Sequence, residues 1–522
     1  MTSRLTSALL FSSALIAGCR GPTGGEAAPG STTPDSGVVT DSGEAVIAFT
    51  VLPDDPGIRY VGRWNLSDPT APELGWQGGS LALAFEGTDA TLTLDAGNAN
   101  EYARVIVDGD QTTTSHVALL SGLNTVVLAE NLESGPHTVE FVRETYWGTN
   151  FIPKEIQVTG SKLLEPPPKA TRSIEFYGDS NLAGYALMSE TNDSDARYVG
   201  SHFSLAGVAA RALSADYTNI SVSGETLSGM TQLYDRIDWY AGVGSWDFDR
   251  YTPDVIVVNL GANDIDTAGE AAIRQRYVTL LDLLRTAHPD VHIVVFNGWG
   301  WSHDEPTNYT AEVVAEHGDP NVSVATFPWV FEQWHGCETD HAGMASYLLA
   351  HLEKTLGWQA EPLDVMNGYG LNGDLANGSF EEVAPFGGFG WRYAAQPGVE
   401  RITQSSAAKD GSAFLRLSQG AAVHQPNPAR AGQTVTVTLW LRAEEAGQSL
   451  DVGIDFRDQT MWTDPLKTET TTLNLSTEWS QYTVTAVAPE LTDNPVFHTR
   501  LTIAAGPGST VDIDALSSTT ED

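Results

Sequence analysis

A β-sandwich, a three-layer α/β domain and a second β-sandwich, in that order, make up the multidomain fold the sequence predicts. Three observations carry it. Over residues 46–165 and again over 370–522, apolar and polar residues alternate with period two between closely spaced turn residues, as half-buried strands do. Over residues 170–360 the strands are near-continuous apolar runs separated by helical patterns, the mark of a buried parallel sheet. The third observation is length, since 522 residues exceed the roughly 250–300 at which a single hydrophobic core stops growing.

Residues 1–19 precede these domains. Met1-Thr2-Ser3-Arg4 carries a positive charge, Leu5 to Ile16 is mostly apolar, and Ala17-Gly18-Cys19 closes the run. A charged start, a short apolar stretch and small residues before a cut make a secretory signal, too short to span a bilayer. Leu15-Ile16-Ala17-Gly18-Cys19 resembles a bacterial lipobox, which implies lipidation at Cys19 and a place in the cell envelope, or secretion. Residues 20–45 are Gly, Pro, Ser, Thr and Asp with few large apolar side chains, a flexible tether.

The formal net charge of -40, from 27 basic and 67 acidic residues, repels phosphate backbones and anionic lipid heads. Nucleic acid is excluded as a partner on that ground, and membrane affinity is left to acyl chains on Cys19. The two cysteines, Cys19 and Cys337, supply neither a disulfide framework nor a cysteine zinc site.

In the first sandwich, a jelly roll, Leu81–Phe85, Ala90–Leu94, Arg104–Asp108 and His137–Val142 alternate as strands. Glu86-Gly87-Thr88-Asp89 and Asp108-Gly109-Asp110 read as turns, and Glu165-Pro166-Pro167-Pro168-Lys169 as a stiff linker. In the α/β domain, Ile174–Tyr177, Val255–Leu260 and Val291–Phe296 read as buried strands. Helical patterns run around Val208–Leu213 and Ala271–Arg285, and a last helix is marked by Met344, Leu348, Leu352 and Leu356. Strands return at Thr434–Leu441 and Thr510–Asp514 in the second sandwich.

Four segments of the α/β domain carry chemistry, each expected at a strand end or helix start. Gly178-Asp179-Ser180 follows the first buried strand, where Ser180 would present its hydroxyl at a turn before a helix, with Gly178 permitting the turn. Ser223-Gly224 follows Tyr217–Ile220, and Gly224 lets a backbone N–H approach a substrate. Gly261-Ala262-Asn263 follows the strongest strand, and the Asn263 amide can donate to an oxyanion, an interaction worth about 3–4 kcal/mol in other hydrolases. His341, in Gly336-Cys337-Glu338-Thr339-Asp340-His341, can serve as general base. Alone, each is an ordinary loop or cap residue; the ordered set is what points to a serine hydrolase, and no Gly-x-Ser-x-Gly elbow is present.

The four blocks resemble the SGNH (GDSL-like) hydrolases. Together with Ile58–Trp64 and Val105-Ile106-Val107-Asp108-Gly109 in the preceding sandwich, they are similar to carbohydrate esterase family two, over about residues 55–358. That resemblance implies a jelly roll joined to an SGNH domain, removing acetyl groups from xylan, mannan or glucomannan. It also implies Ser180 as nucleophile, His341 as base, and Ser180 N–H, Gly224 N–H and Asn263 as the oxyanion hole. Glu338 stands where the block usually has Asp, three residues before the histidine, and is expected to orient His341. Asp340 or a backbone carbonyl from Trp334–Gly336 are the alternatives. Asn181-Leu182-Ala183 departs from the usual residues after the serine.

Trp299, Trp301 and Trp334 lie near strand ends and are candidates to stack on sugar rings. His335, His341 and His351 lack zinc spacing, so catalysis is expected to need no cofactor. Leu375–Glu381, Trp391 and the closing Val511–Asp514 are similar to family 4/9-type carbohydrate-binding modules, which implies a structural calcium at Glu381 and Asp514. Trp440 falls on the face opposite Val435, Val437, Leu439 and Leu441, as a stacking platform would.

Overall fold

The structure, a computed structural model, describes residues 47–522 apart from 112, 190, 239–243, 266, 299–308, 328–330, 332–334, 366–374, 384–389, 393–395, 458–463 and 491–497. Cys19, Trp299, Trp301 and Trp334 lie outside the described residues.

The N-terminal part is an antiparallel sheet built on one strand of 16 residues, Ser80–Asp95. Different stretches of it pair with Arg59–Val61, Leu123–Ala129, Gly135–Arg143 and Ile152–Leu163, so the sheet curls around Leu83, Phe85, Leu92, Val139, Phe141 and Val158. The turn expected at Glu86–Asp89 does not form. Gly87 and Gly160 pair across the strands where the register shifts, and the strand absorbs its turn residues as an irregularity.

The middle part is a five-stranded parallel sheet in spatial order Ala215–Ser221, Arg172–Gly178, Val255–Asn259, His292–Gly298, Val322–Phe327. On one face, helices α1 (Leu205–Ala212) and, at the end of the domain, Glu338–Leu356 cover Phe176, Val257, Val294 and Phe296. On the other, α2 (Leu227–Leu233), α3 (Glu270–Ala287) and α4 (Tyr309–His317) cover Tyr177, Ile256, Val258 and Val295. The long last helix is α5; it stops at Gly357, which adopts φ 70.

A buried arginine and a buried glutamine join these two parts. Arg63, fully buried, donates to Glu175 at 3.1 Å, to the Tyr177 hydroxyl at 2.9 Å and to the carbonyls of Tyr234 and Arg236. Gln77 donates to the carbonyl of Ser221, at the end of a parallel strand.

From residue 396 onward the chain forms two antiparallel sheets. One runs Val399–Thr403, Ala413–Leu417, Val511–Glu521, Thr434–Ala443, Ser480–Val487; the other Ala422–Pro428, His498–Ala505, Ser449–Arg457, Lys467–Asn474. Leu415, Val437, Leu439 and Ile513 of the first meet Val423, Val452, Ile454 and Ile503 of the second in one core. Trp440 faces away from that core, with the Lys409 ammonium 4.1 Å from its ring centre.

Candidate active site

The order of the parallel sheet fixes where a site belongs. The chain goes from strand 172–178 to the neighbour on one side (215–221), then crosses to the other side (255–259). Ligands of such sheets bind beyond the carboxyl ends at this reversal. Ser180 follows the first of these strands, Gly224 the second and Asn263 the third. The Asn263 Nδ2 donates to the carbonyl of Glu225 at 2.9 Å and reaches Asp179 Oδ2 at 3.4 Å. It therefore ties together the neighbours of Gly224 and Ser180.

Local chain geometry follows from a few residues. Gly178 ends its strand without positive φ; a Cβ there would overlap the Leu182 side chain, so the glycine serves close packing rather than the turn expected of it. Gly224 does have φ 82, and nothing lies within 4 Å of where its Cβ would stand, which leaves its backbone open to a ligand. Asp179 is buried and accepts from the Asn181 N–H at 3.0 Å; burial, with Asp264 adding to the push, raises its carboxyl to about 7. No α-helix starts directly after Ser180. Residues 181–188 run as successive turns with positive φ at Gly184 and Ala186, short 3-10 turns follow at Ala196–Tyr198 and Ser201–Phe203, and α1 begins at Leu205.

The histidine on Ser180 is His335. Its Nε2 lies 2.9 Å from Ser180 Oγ, and its Nδ1 lies 2.7 Å from Asn192 Oδ1. With a carbonyl oxygen facing it, Nδ1 carries the proton, and Nε2 presents its lone pair to the serine hydroxyl. Tyr185 packs on the imidazole with ring centres 4.5 Å apart. Burial lowers His335 to about 4, so the ring is neutral near pH 7. Asn192 holds φ 57, a left-handed conformation that asparagine tolerates.

The expected base and the residue behind it are thereby corrected. His341 is fully buried in the first turns of α5, and its Nδ1 accepts the Leu205 N–H at 3.0 Å. Its Nε2 has no partner among the described residues. Burial lowers His341 to about 3, with the nearby His335 adding to the effect. It is a neutral core histidine that meets the first N–H of α1. With Nδ1 taken by a backbone amide, Glu338 does not orient it; Glu338 is the first residue of α5. Asp340, the alternative, accepts from Cys337 N–H at 2.9 Å and from Arg392 at 3.1 Å. Helix periodicity held the signal: His341, Ala345, Leu348 and Leu352 fall on one buried face, whereas His335 stands in the loop before α5.

Glu381 and Asp514 both reach the 409–413 loop. Glu381 accepts from Ser412 and Ala413 N–H and the Ser412 hydroxyl, Asp514 from Lys409, Asp410 and Ala515 N–H. All four carboxylate oxygens face donors, a poor fit to the oxygen shell calcium takes.

A model of the carbohydrate esterase 2 N-terminal domain matches residues 60–167, and one of the GDSL-like lipase/acylhydrolase family matches residues 176–358. The chain is 33% identical over 344 residues to the cellulase/esterase CelE of Acetivibrio thermocellus, a match spanning 58% of this chain and 40% of that protein. It is 26% identical over 330 residues to an acetylxylan esterase / glucomannan deacetylase of Cellvibrio japonicus, spanning 59% of this chain and 92% of that one. Among solved structures, a family two carbohydrate esterase from Clostridium thermocellum in complex with cellohexaose superposes with TM-score 0.52 at 31% identity. It covers 58% of this chain and all of the other. A jelly-roll-like domain and an SGNH domain stand in tandem, each matched in order, and the chain belongs to carbohydrate esterase family two.

Proposed function

We propose that this protein removes O-acetyl groups from plant-type polysaccharides (xylan, mannan or glucomannan) through an acetyl-Ser180 intermediate, with His335 as general base. The observation that carries the reading is the 2.9 Å hydrogen bond between Ser180 Oγ and His335 Nε2 at the reversal of the parallel sheet. The activity named for the Cellvibrio japonicus relative supports the substrate class.

Ser180 Oγ attacks the acetyl carbonyl carbon as its proton passes to His335 Nε2. The oxyanion forms against Ser180 N–H, Gly224 N–H and the Asn263 amide, which gives up its long 3.4 Å contact with Asp179 to donate there. Its collapse breaks the ester bond, and the sugar hydroxyl leaves with the proton from His335. Water, deprotonated by the same nitrogen, then attacks the acetyl-enzyme and acetate departs. Asn192 fixes the imidazole tautomer without adding charge.

The two C-terminal sheets support a β-sandwich, which we read as carbohydrate-binding, and Cys19 as a lipidated residue would hold the enzyme at the bacterial envelope, with secretion the alternative. Acetate release from acetylated xylan and glucomannan tests the reaction. Ser180→Ala is expected to lower it by about 10⁴-fold or more, and a variant that keeps the wild-type rate overturns the mechanism.

A further inference from the structure

Arg392 lies beyond the family match, which ends at residue 358, yet its side chain enters the catalytic domain. Its Nη2 donates to Asp340 Oδ2 at 3.1 Å, and both side chains are buried, with 5% and 1% exposed. The same Asp340 oxygen accepts the Cys337 N–H at 2.9 Å, which closes the N-terminus of α5. Cys337 is separated from His335 by Gly336 alone. A continuous path of hydrogen bond and backbone thus runs from Arg392 to the histidine on Ser180.

The far end of the path is anchored. Arg392 N–H donates to the carbonyl of His424 at 3.0 Å, and the His424 N–H returns a bond to Arg392. His424 sits in the strand Ala422–Pro428, held in antiparallel register by His498–Ala505. One residue along, Gln425 clasps Ala376, accepting from its N–H at 3.0 Å and donating to its carbonyl at 2.7 Å. Ala376 is buried in the same core cluster as Phe331 and Met344, on either side of the His335 loop in sequence.

We infer that the C-terminal sheets brace the catalytic loop, with Arg392 a positioning residue that acts through Asp340 to hold His335 against Ser180. The inference rests on the reading of His335 as base. A module that only tethers the enzyme to a polymer does not need a buried arginine bonded to the first turn of the helix that follows the base; a part that completes the site does.

Hydrolysis of a small aryl acetate tests this, because such an ester makes no use of polymer binding. In the full chain, Arg392→Ala is expected to lower kcat by about 10- to 100-fold, as small misplacements of reacting groups do, with KM within about twofold. Arg392→Lys should recover part of the loss. The rate of Ser180 labelling by a fluorophosphonate, which also needs the base, should fall in parallel. Asp340→Asn should match Arg392→Ala, and the pair should lose little more than either alone. Full aryl acetate hydrolysis and full labelling in both Arg392 variants overturn the brace, and a defect confined to acetylated xylan does the same in favour of a binding module. Ser180→Ala is the control that separates the two readings: if it keeps activity the catalytic reading fails, and if it is inactive while Arg392→Ala is fully active only the brace fails.

Discussion

Two histidines six positions apart have opposite fates because one lies in a loop and the other on a helix face. His335→Ala is expected to lower acetate release by about 10⁴-fold or more while leaving thermal stability near wild type. His341→Ala should do the reverse, costing about 1–3 kcal/mol of stability for the stranded Leu205 N–H, and the folded fraction should retain activity; Tm and kcat on purified variants separate them. Proton linkage gives a second check. Burial holds His335 near 4 rather than its ordinary 6.5, so the base is free above that value and kcat/KM should fall only as pH drops toward about 4. Asn192→Asp places a negative charge on Nδ1–H, favours the imidazolium, and should move that acid limb upward by about 1–3 pH units. An unmoved limb would show that Asn192 does not face the working histidine. The positions of Ser180 and Asn263 at strand ends were legible because each follows an apolar parallel strand, whereas Gly224 follows the more polar Ala215–Ser221 and stood out only as one of the ordered set. His335 and Asn192 were not legible, since both stand in irregular stretches without periodicity, and the Glu338–His341 spacing drew attention to the helix instead.

Among elements, the seam between the N-terminal sheet and the parallel sheet holds a fully buried ion pair. Arg63 and Glu175 pair in full burial; burial pushes the Glu175 carboxyl up most strongly, and Arg63, His288 and Tyr177 together outweigh it and hold the carboxyl below the usual range. Arg63→Ala leaves Glu175 charged, buried and short of its partner, and should cost about 3–5 kcal/mol of unfolding free energy, read as a lower midpoint in urea. Arg63→Ala and Glu175→Gln combined should cost less than the sum of the two. Because Arg63 also holds the carbonyls of Tyr234 and Arg236 past α2, its loss should loosen the Gly224 side of the site. Sequence periodicity located the strands of this part, yet it split Ser80–Asp95 in two. A glycine that faces another glycine across a sheet can be absorbed as a bulge, and a single strand cannot announce which partner it will meet.

At the scale of the whole molecule, the proposed anchor has to be reconciled with the charge. A net charge of -40 repels an anionic bilayer, so a peripheral electrostatic association is not available. Acyl chains on Cys19 would supply the affinity, with more than one chain needed for a stable hold. The prediction is a partition experiment in a bacterial host. Wild-type enzyme should sediment with membranes and stay there in about 1 M salt, where screening is complete within a few ångström, and detergent should release it. Cys19→Ser should move the aryl acetate hydrolase activity to the soluble fraction with kcat unchanged. Identical partition of wild type and Cys19→Ser would remove the anchor from the account and leave a secreted enzyme whose acidic surface serves solubility alone.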